Sequence, residues 1–356
     1  MGKHLYLNIH DHIRICAEDL LPGVANYIDN FLGQFKSPMR IPSSEADIII
    51  REEKIDLRVT HEMHHMETLY GFWITEHKGD VTALFFFKNE PDLMAVFSTP
   101  IQIIYNPRPR IFRTVNRILA FCIWHLLCQK DLFLCHSAIL AHRGRTTLIM
   151  GQRGVRKTQL SLTLLKAGWD YLTDDKAILD RGMASPYHTF FFIKNYHYEA
   201  LPWLAGRLSR SDLEHKKARV GKCVRRLLKR SVHKKFLPSE DRILNPTKRI
   251  HLNKIFPHCK QLESASISQV VLICYGSEFS FKEVSMDEIL ADMATIQKLA
   301  FSEFTNLELV LSMHLQNGKQ RMQTLISQNL KAENFYRVTL SPEDDLNLIC
   351  KRLDAC

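Results

Sequence analysis

Apolar and polar positions alternate along much of the first hundred residues. Leu5–Ile9 (LYLNI), Ala46–Ile50 (ADIII), Tyr70–His77 (YGFWITEH) and Val81–Phe87 (VTALFFF) are short runs rich in β-branched and aromatic side chains. Such runs suit a half-buried pleated surface and predict strands, with Lys78 and Gly79 turning the last two into a hairpin. The stretch NPRPR, Asn106–Arg110, interrupts the pattern and marks a boundary between a β-rich region, 1–110, and the rest of the chain, 111–356. Beyond it Val115, Ile118, Leu119, Cys122, Leu126 and Leu127 recur at about 3.6 residues, which predicts a helix over 111–129.

The pattern then shortens. A strand is expected over 132–141, a turn at Arg143 and Gly144, a second strand over 146–150, and a helix over 157–166 closed by Gly168. WDYLTDDKAIL, Trp169–Leu179, reads as one further strand. RIHLNKIF (249–256) and SQVVLICYG (268–276) read as strands, helices are expected between 287 and 332, and a strand at 336–340 with a helix over 343–353 ends the chain. Strands alternating with helices indicate an α/β domain.

The segment between strand and helix, GQRGVRKTQLSL (Gly151–Leu162), carries the candidate chemistry. In a phosphate-binding loop, successive main-chain N–H groups and the following helix N-terminus surround phosphate oxygens; a Lys reaches the β/γ-phosphates and the next hydroxyl ligates Mg²⁺. Lys157 and Thr158 stand in those two places, and Gly151, Gln152, Arg153, Gly154, Val155, Arg156 and Gln159 complete the cradle. Arg156 departs from the pattern G-x-x-x-x-G-K-[ST], which has glycine there. Its N–H survives and its guanidinium adds positive charge, but its bulk can also obstruct a nucleotide. Asp174 and Asp175 follow at the end of the predicted strand, where carboxylates can meet a metal held at Thr158.

HSAIL, the short hairpin into GQRGVRKTQLSLTLL, and the later GWDYLTDDKAIL together resemble the HPr kinase/phosphorylase superfamily, in particular its HPr-kinase-related branch of bacterial serine kinases. The strong part of the resemblance spans 132–179; the family's glycine-rich segment after the core is not evident. The resemblance implies a P-loop domain of the HPr-kinase/PEP-carboxykinase type, ATP and Mg²⁺ as cofactors, and transfer of a phosphoryl group to a hydroxyl, with Ser the expected acceptor on a peptide, a protein or a small molecule. It implies Asp174 as base toward that hydroxyl, Asp175 as Mg²⁺ contact beside Thr158 (an assignment that can be swapped), and His136 as the residue that tunes the pair. Lys194 is a phosphate contact by position only. Two rival readings stay open: a nucleotide-binding protein of the same fold without catalysis, in which Arg156 reflects lost chemistry, and a binding module that uses the fold as scaffold.

Charge sharpens the last of these. The formal net charge of the 356 residues is +10. The segment 216–235 holds six Lys and four Arg with no Asp or Glu, so it accounts for the whole excess. A protein that coats nucleic acid would spread its basic residues more widely, so no specific nucleic acid is expected. Val220, Val224, Leu227 and Leu228 give the segment one apolar stripe, which suits an insertion (211–245) packed on the domain, a dock for an anionic partner, or contact with an anionic membrane surface. Self-association into a homo-oligomer is compatible with the resemblance.

Nine cysteines without a C-x-x-C pair read as reduced thiols, and with no apolar leader evident in MGKHLYLNIHDHI the expected location is cytoplasmic. The run Ile118–Cys128 is shorter than the roughly 20 residues a membrane span needs, so none is expected. HEMHH, His61–His65, matches the zinc-hydrolase pattern H-E-x-x-H, but that pattern works only on a helix and its flanks here read as strands.

Overall fold

The computed structural model describes residues 2–55, 64–66, 72–77, 80–87, 90–108, 111–152, 154–208, 248–301, 318–341 and 343–355. The predicted turn at Lys78 and Gly79, Arg153 of the loop, His61 of the histidine cluster and the basic segment 216–235 lie outside them. The chain divides into two compact units, Met1–Leu134 with Phe301–Leu325, and Cys135–Ala300 with Ile326–Cys356.

In the first unit eight strands form one mixed sheet: β1 (Lys3–Ile9), β2 (Ile13–Leu20), β3 (Ile48–Glu52), β4 (His64–Met66), β5 (Phe72–His77), β6 (Asp80–Phe87), β7 (Glu90–Phe97) and β8 (Ile101–Tyr105). Their order is β1-β2-β3-β8-β7-β6-β5-β4, parallel at β2/β3 and β3/β8 and antiparallel elsewhere. His64 and His65 sit on a strand, which cannot present the shared helical face that H-E-x-x-H requires. Helix α1 (Pro22–Leu32) starts with Pro at its first position and buries Val24, Ala25, Ile28 and Leu32. Helix α2 covers Ile111–Gln129, as its periodicity predicts.

The boundary read at NPRPR does not divide the compact units: α2 belongs with the first. Its apolar face lies on the sheet, where Phe121 meets Phe97 of β7 edge-on at 5.9 Å, and its start lies on α1, where Phe112 meets Tyr27 at 5.0 Å. By length and composition α2 is apolar enough to cross a membrane, although its central run alone is too short. Val115, Ile118, Leu119, Cys122 and Ile123 are nonetheless buried in the protein, which is the pattern of a core helix.

The second unit is built on a six-stranded sheet of order β12-β10-β11-β18-β20-β19, with β10 (Ala138–His142), β11 (Arg145–Gly151), β12 (Asp170–Thr173), β18 (Gln269–Tyr275), β19 (Ser280–Val284) and β20 (Asn334–Leu340). The centre, β11-β18-β20, is parallel, and both flanks are antiparallel. Parallel strands are covered on both faces, which is why QVVLICY reads as a nearly continuous apolar run. Helix α3 (Lys157–Lys166) covers one face with Leu160, Leu162, Leu164 and Leu165 against Ile149, Val271 and Val338. Each such side chain contributes about 1.5–3 kcal/mol relative to exposure.

The two long strands predicted at 132–141 and 169–179 are each broken. The first divides at Ser137 into β9 (Phe133–His136) and β10; the second divides at Asp174 and Asp175 into β12 and β13 (Lys176–Asp180). β9 and β13 pair in a separate four-stranded sheet with β14 (Met183–Pro186) and β17 (Ala265–Ser266), whereas β10 and β12 pair in the six-stranded one. Two neighbouring segments therefore change sheets at one point, and the Ser137 N–H donates to Asp175 O there at 3.1 Å. Alternation cannot reveal such a crossing, because apolar positions continue through it. A further ribbon pairs β15 (Phe190–Ile193) with β16 (Lys248–His251); of the strand predicted at 249–256, the part after His251 is a short helix, Leu252–Ile255.

Candidate active site

The loop leaves β11 at Gly151, where a β-carbon would meet Ile273 O at 2.8 Å and Val155 Cγ2 at 2.6 Å. Gly154 adopts φ 96°, and the exposed Tyr275 donates its hydroxyl to Gly154 O at 2.5 Å. Gln152 O accepts from Val155 N–H at 3.4 Å, and Val155 turns into the core. The chain then enters α3 through Arg156, whose φ of 67° and ψ of 19° are left-handed. That conformation costs a residue with a β-carbon about 1–2 kcal/mol and explains why the general pattern has glycine. The guanidinium donates hydrogen bonds from Nε to Gln159 Oε1 and from Nη1 to Asp344 O, both at 2.8 Å. These anchor the side chain between the first turn of α3 and the turn that precedes the C-terminal helix, and they offset the backbone cost. Helix geometry leaves the first N–H groups of α3 without partners inside the helix, at its positive end.

Five predicted residues converge beside that helix end. Thr158 Oγ1 donates to Asp174 Oδ2 at 2.8 Å. Lys157 turns back on the strand, with Nζ 3.0 Å from His136 Nε2 and 3.4 Å from Gly151 O. His136 Nδ1 lies 2.9 Å from Asp175 O and 3.3 Å from Asp175 Oδ1. The other carboxylate oxygen, Asp175 Oδ2, meets His188 Nδ1 at 2.8 Å. Asp174 Oδ1 is buried and without a hydrogen-bond partner. Lys157, Asp174 and His188 are respectively 8%, 5% and 5% exposed, so each depends on its protein partners rather than on water.

Burial sets opposite fates for the two carboxyls. It pushes Asp174 up to about 7, against the downward pull of the Ser161 and Thr158 hydroxyls and the Lys157 ammonium. Burial pushes Asp175 up as well, but the hydrogen bonds from His136 and His188 outweigh it and hold this carboxyl well below the usual range. The Lys157 ammonium is lowered by burial, with Asp174 and Asp175 opposing. His188 is also lowered by burial, with Asp175 opposing. One carboxylate of the pair is thus held in its charged form by two imidazoles, while burial brings its neighbour up to about 7.

The expected Mg²⁺ contact at Asp175 does not fit this arrangement, because both its oxygens face imidazoles; Asp174 is the carboxylate beside Thr158. Adjacent oxygen ligands of an octahedral Mg²⁺ at about 2.1 Å lie about 3 Å apart, which matches the Thr158–Asp174 pair. Lys194 caps the short helix that follows β15, and its Nζ lies 5.8 Å from the centre of the Tyr196 ring. The sequence does not single out His188: one His between Tyr187 and Thr189 carries no periodic or motif signal.

No family model and no curated protein matches the chain. Among solved structures, the Hpr(Ser) kinase/phosphatase from Coxiella burnetii is similar at a TM-score of 0.29 and 10% identity, over 63% of this chain and 88% of that one. Likeness at that level carries no chemistry, which the residues above must carry alone.

Proposed function

We propose that this protein is an ATP- and Mg²⁺-dependent phosphotransferase that acts on a hydroxyl, with a serine side chain of a peptide or protein as the favoured acceptor. The observation that carries the reading is the convergence of Lys157, Thr158 and Asp174 at the N-terminus of α3, with Thr158 and Asp174 2.8 Å apart. Phosphoryl transfer needs positioning and charge neutralisation more than covalent help. Main-chain N–H groups at the head of α3 bind phosphate oxygens, and the Lys157 ammonium leaves His136 to reach them. Thr158 and Asp174 Oδ2 hold Mg²⁺, which when bound supplies charge stabilisation at the phosphates. Asp174 Oδ1, buried and without a hydrogen-bond partner in the nucleotide-free protein, accepts the proton of the incoming hydroxyl. Arg156 supports rather than opposes this reading, since Gln159 and Asp344 hold its guanidinium.

The test is nucleotide binding. Purified protein is expected to bind ATP with Mg²⁺, and Lys157→Ala to weaken that binding by about a hundredfold or more. Equal affinity in the variant and the wild type would overturn the proposal.

A further inference from the structure

We propose that His188 is a positioning residue: it holds Asp175 so that Asp175 fixes His136 with its Nε2 lone pair aimed at Lys157. The inference rests on the phosphotransferase reading for its effect on rate, but its geometry stands apart from it.

The hydrogen-bond partners fix where the imidazole protons sit. His188 Nδ1 faces a carboxylate oxygen, Asp175 Oδ2, at 2.8 Å. His136 Nδ1 faces only acceptors too, Asp175 O at 2.9 Å and Oδ1 at 3.3 Å. Both Nδ1 atoms must therefore carry hydrogen. In neutral His136 this leaves Nε2 as an acceptor, and Lys157 Nζ donates to it across 3.0 Å. A buried ammonium thereby gains a resting partner that costs little to leave when phosphate arrives. Had Nε2 carried the hydrogen instead, it would have repelled Lys157.

His188 is built to hold still. Its ring stacks on Phe190 at 5.0 Å and 25° and lies 4.8 Å from Tyr187. Its main-chain oxygen accepts from Thr173 Oγ1 at 2.7 Å, which ties it to the end of β12 immediately before the acidic pair. Its N–H and that of Tyr187 both reach Lys176 O, immediately after the pair. The Asp174–Asp175 corner is therefore clasped from both sides by the segment that carries His188. A carboxylate with one imidazole removed would be free to rotate, and His136 Nδ1 would keep only the Asp175 main-chain oxygen, at 2.9 Å, as a fixed acceptor. Outer partners of this kind typically change activity or metal affinity by about 10–100-fold.

Two variants that each keep a polar side chain decide the matter. In His188→Asn the amide N–H occupies the place of Nδ1; in His188→Gln it lies one carbon further out. Three readouts are compared with wild type: the imidazole nitrogens of His136 by ¹⁵N NMR in nucleotide-free protein, the MgATP dissociation constant, and phosphate release from MgATP. Wild type and His188→Asn are expected to show His136 as a single Nδ1–H tautomer, and His188→Gln a mixture. Phosphate release is expected to fall about 10–100-fold in His188→Gln and to stay within about threefold of wild type in His188→Asn, while the dissociation constant moves less than about threefold in either. An unchanged His136 spectrum in His188→Gln, or equal impairment of the two variants, overturns the positioning role. If wild type neither binds MgATP nor releases phosphate from it, the phosphotransferase reading fails, and the spectrum alone decides the role of His188.

Discussion

Thr158 Oγ1 and Asp174 Oδ2 are 2.8 Å apart, and their hydrogen bond joins the first turn of α3 to the corner where β12 ends. The bond depends on the crossing of two segments between sheets. Had β12 run straight through into β13, successive side chains would point to opposite faces, and Asp174 and Asp175 would share no surroundings. The break lets Asp174 face the helix and Asp175 face the histidines. One physical device, a corner in the chain, thus produces two carboxyls with different proton affinities.

That difference predicts a pH dependence of stability. Asp174 rises from 3.8 to about 7 because it is buried, so ionising it inside the fold costs up to roughly 4 kcal/mol. The stability it contributes is fully present below 3.8 and is lost as pH rises through about 7. Asp175 has the opposite sign: held low, it contributes stability above the ordinary carboxylate value that is lost as pH falls. In nucleotide-free protein the Asp174→Asn variant should show a shallower loss of urea midpoint between about pH 4 and pH 7 than wild type does. Parallel curves for the two proteins would mean that Asp174 does not titrate with folding.

Arg156 supplies a second test. Ala and Gly at this position both lose the hydrogen bonds to Gln159 and Asp344, but only Ala keeps a β-carbon at φ 67°. Arg156→Ala should therefore be less stable than Arg156→Gly by about 1 kcal/mol, read from urea unfolding. Equal stability would mean that residue 156 does not adopt the left-handed conformation in solution.

The two loop glycines should fail for different reasons. At Gly151 a β-carbon would press on the Ile273 carbonyl at 2.8 Å, and main chain in a central parallel strand has little room to give. Gly154 has open space, with Tyr275 Oη no nearer than 3.8 Å, but φ 96°. Gly151→Ala should lower protein stability by about 1–3 kcal/mol. Gly154→Ala should chiefly distort the loop and weaken MgATP binding, with about 1 kcal/mol of stability lost. Calorimetric melting alongside ATP titration separates the two effects.

Much of this was legible in the chain. The period of Val115, Ile118, Leu119 and Cys122 placed α2 to the residue, and the pattern GQRGVRKT placed both β11 and the start of α3. Lys157, Thr158, Asp174, Asp175 and His136 were named from spacing or resemblance and do meet. What escaped was partly local and partly long-range. β2 and α1 were missed because IRICAEDL departs from simple alternation and α1 is a short helix opened by a Leu-Pro. The corners at Ser137 and Asp174 were hidden because apolar residues continue on both sides of each. His188 is recruited by a strand pairing that no local pattern encodes. The different surroundings of the two aspartates also needed coordinates, since they depend on which oxygen meets which neighbour.

Arg156 carries one last implication. Its grip on Asp344 O ties a mid-chain loop to a turn held by Asp344 Oδ2 and the Ser341 N–H, just ahead of the C-terminal helix Asn347–Ala355. The segment ahead of the C-terminal helix therefore helps to set the backbone of residues 154–156. Any cut, fusion or bound molecule that tugs the Asp344 carbonyl aside would slacken a segment whose entry residue already sits uphill, and would reach the head of α3 without touching it.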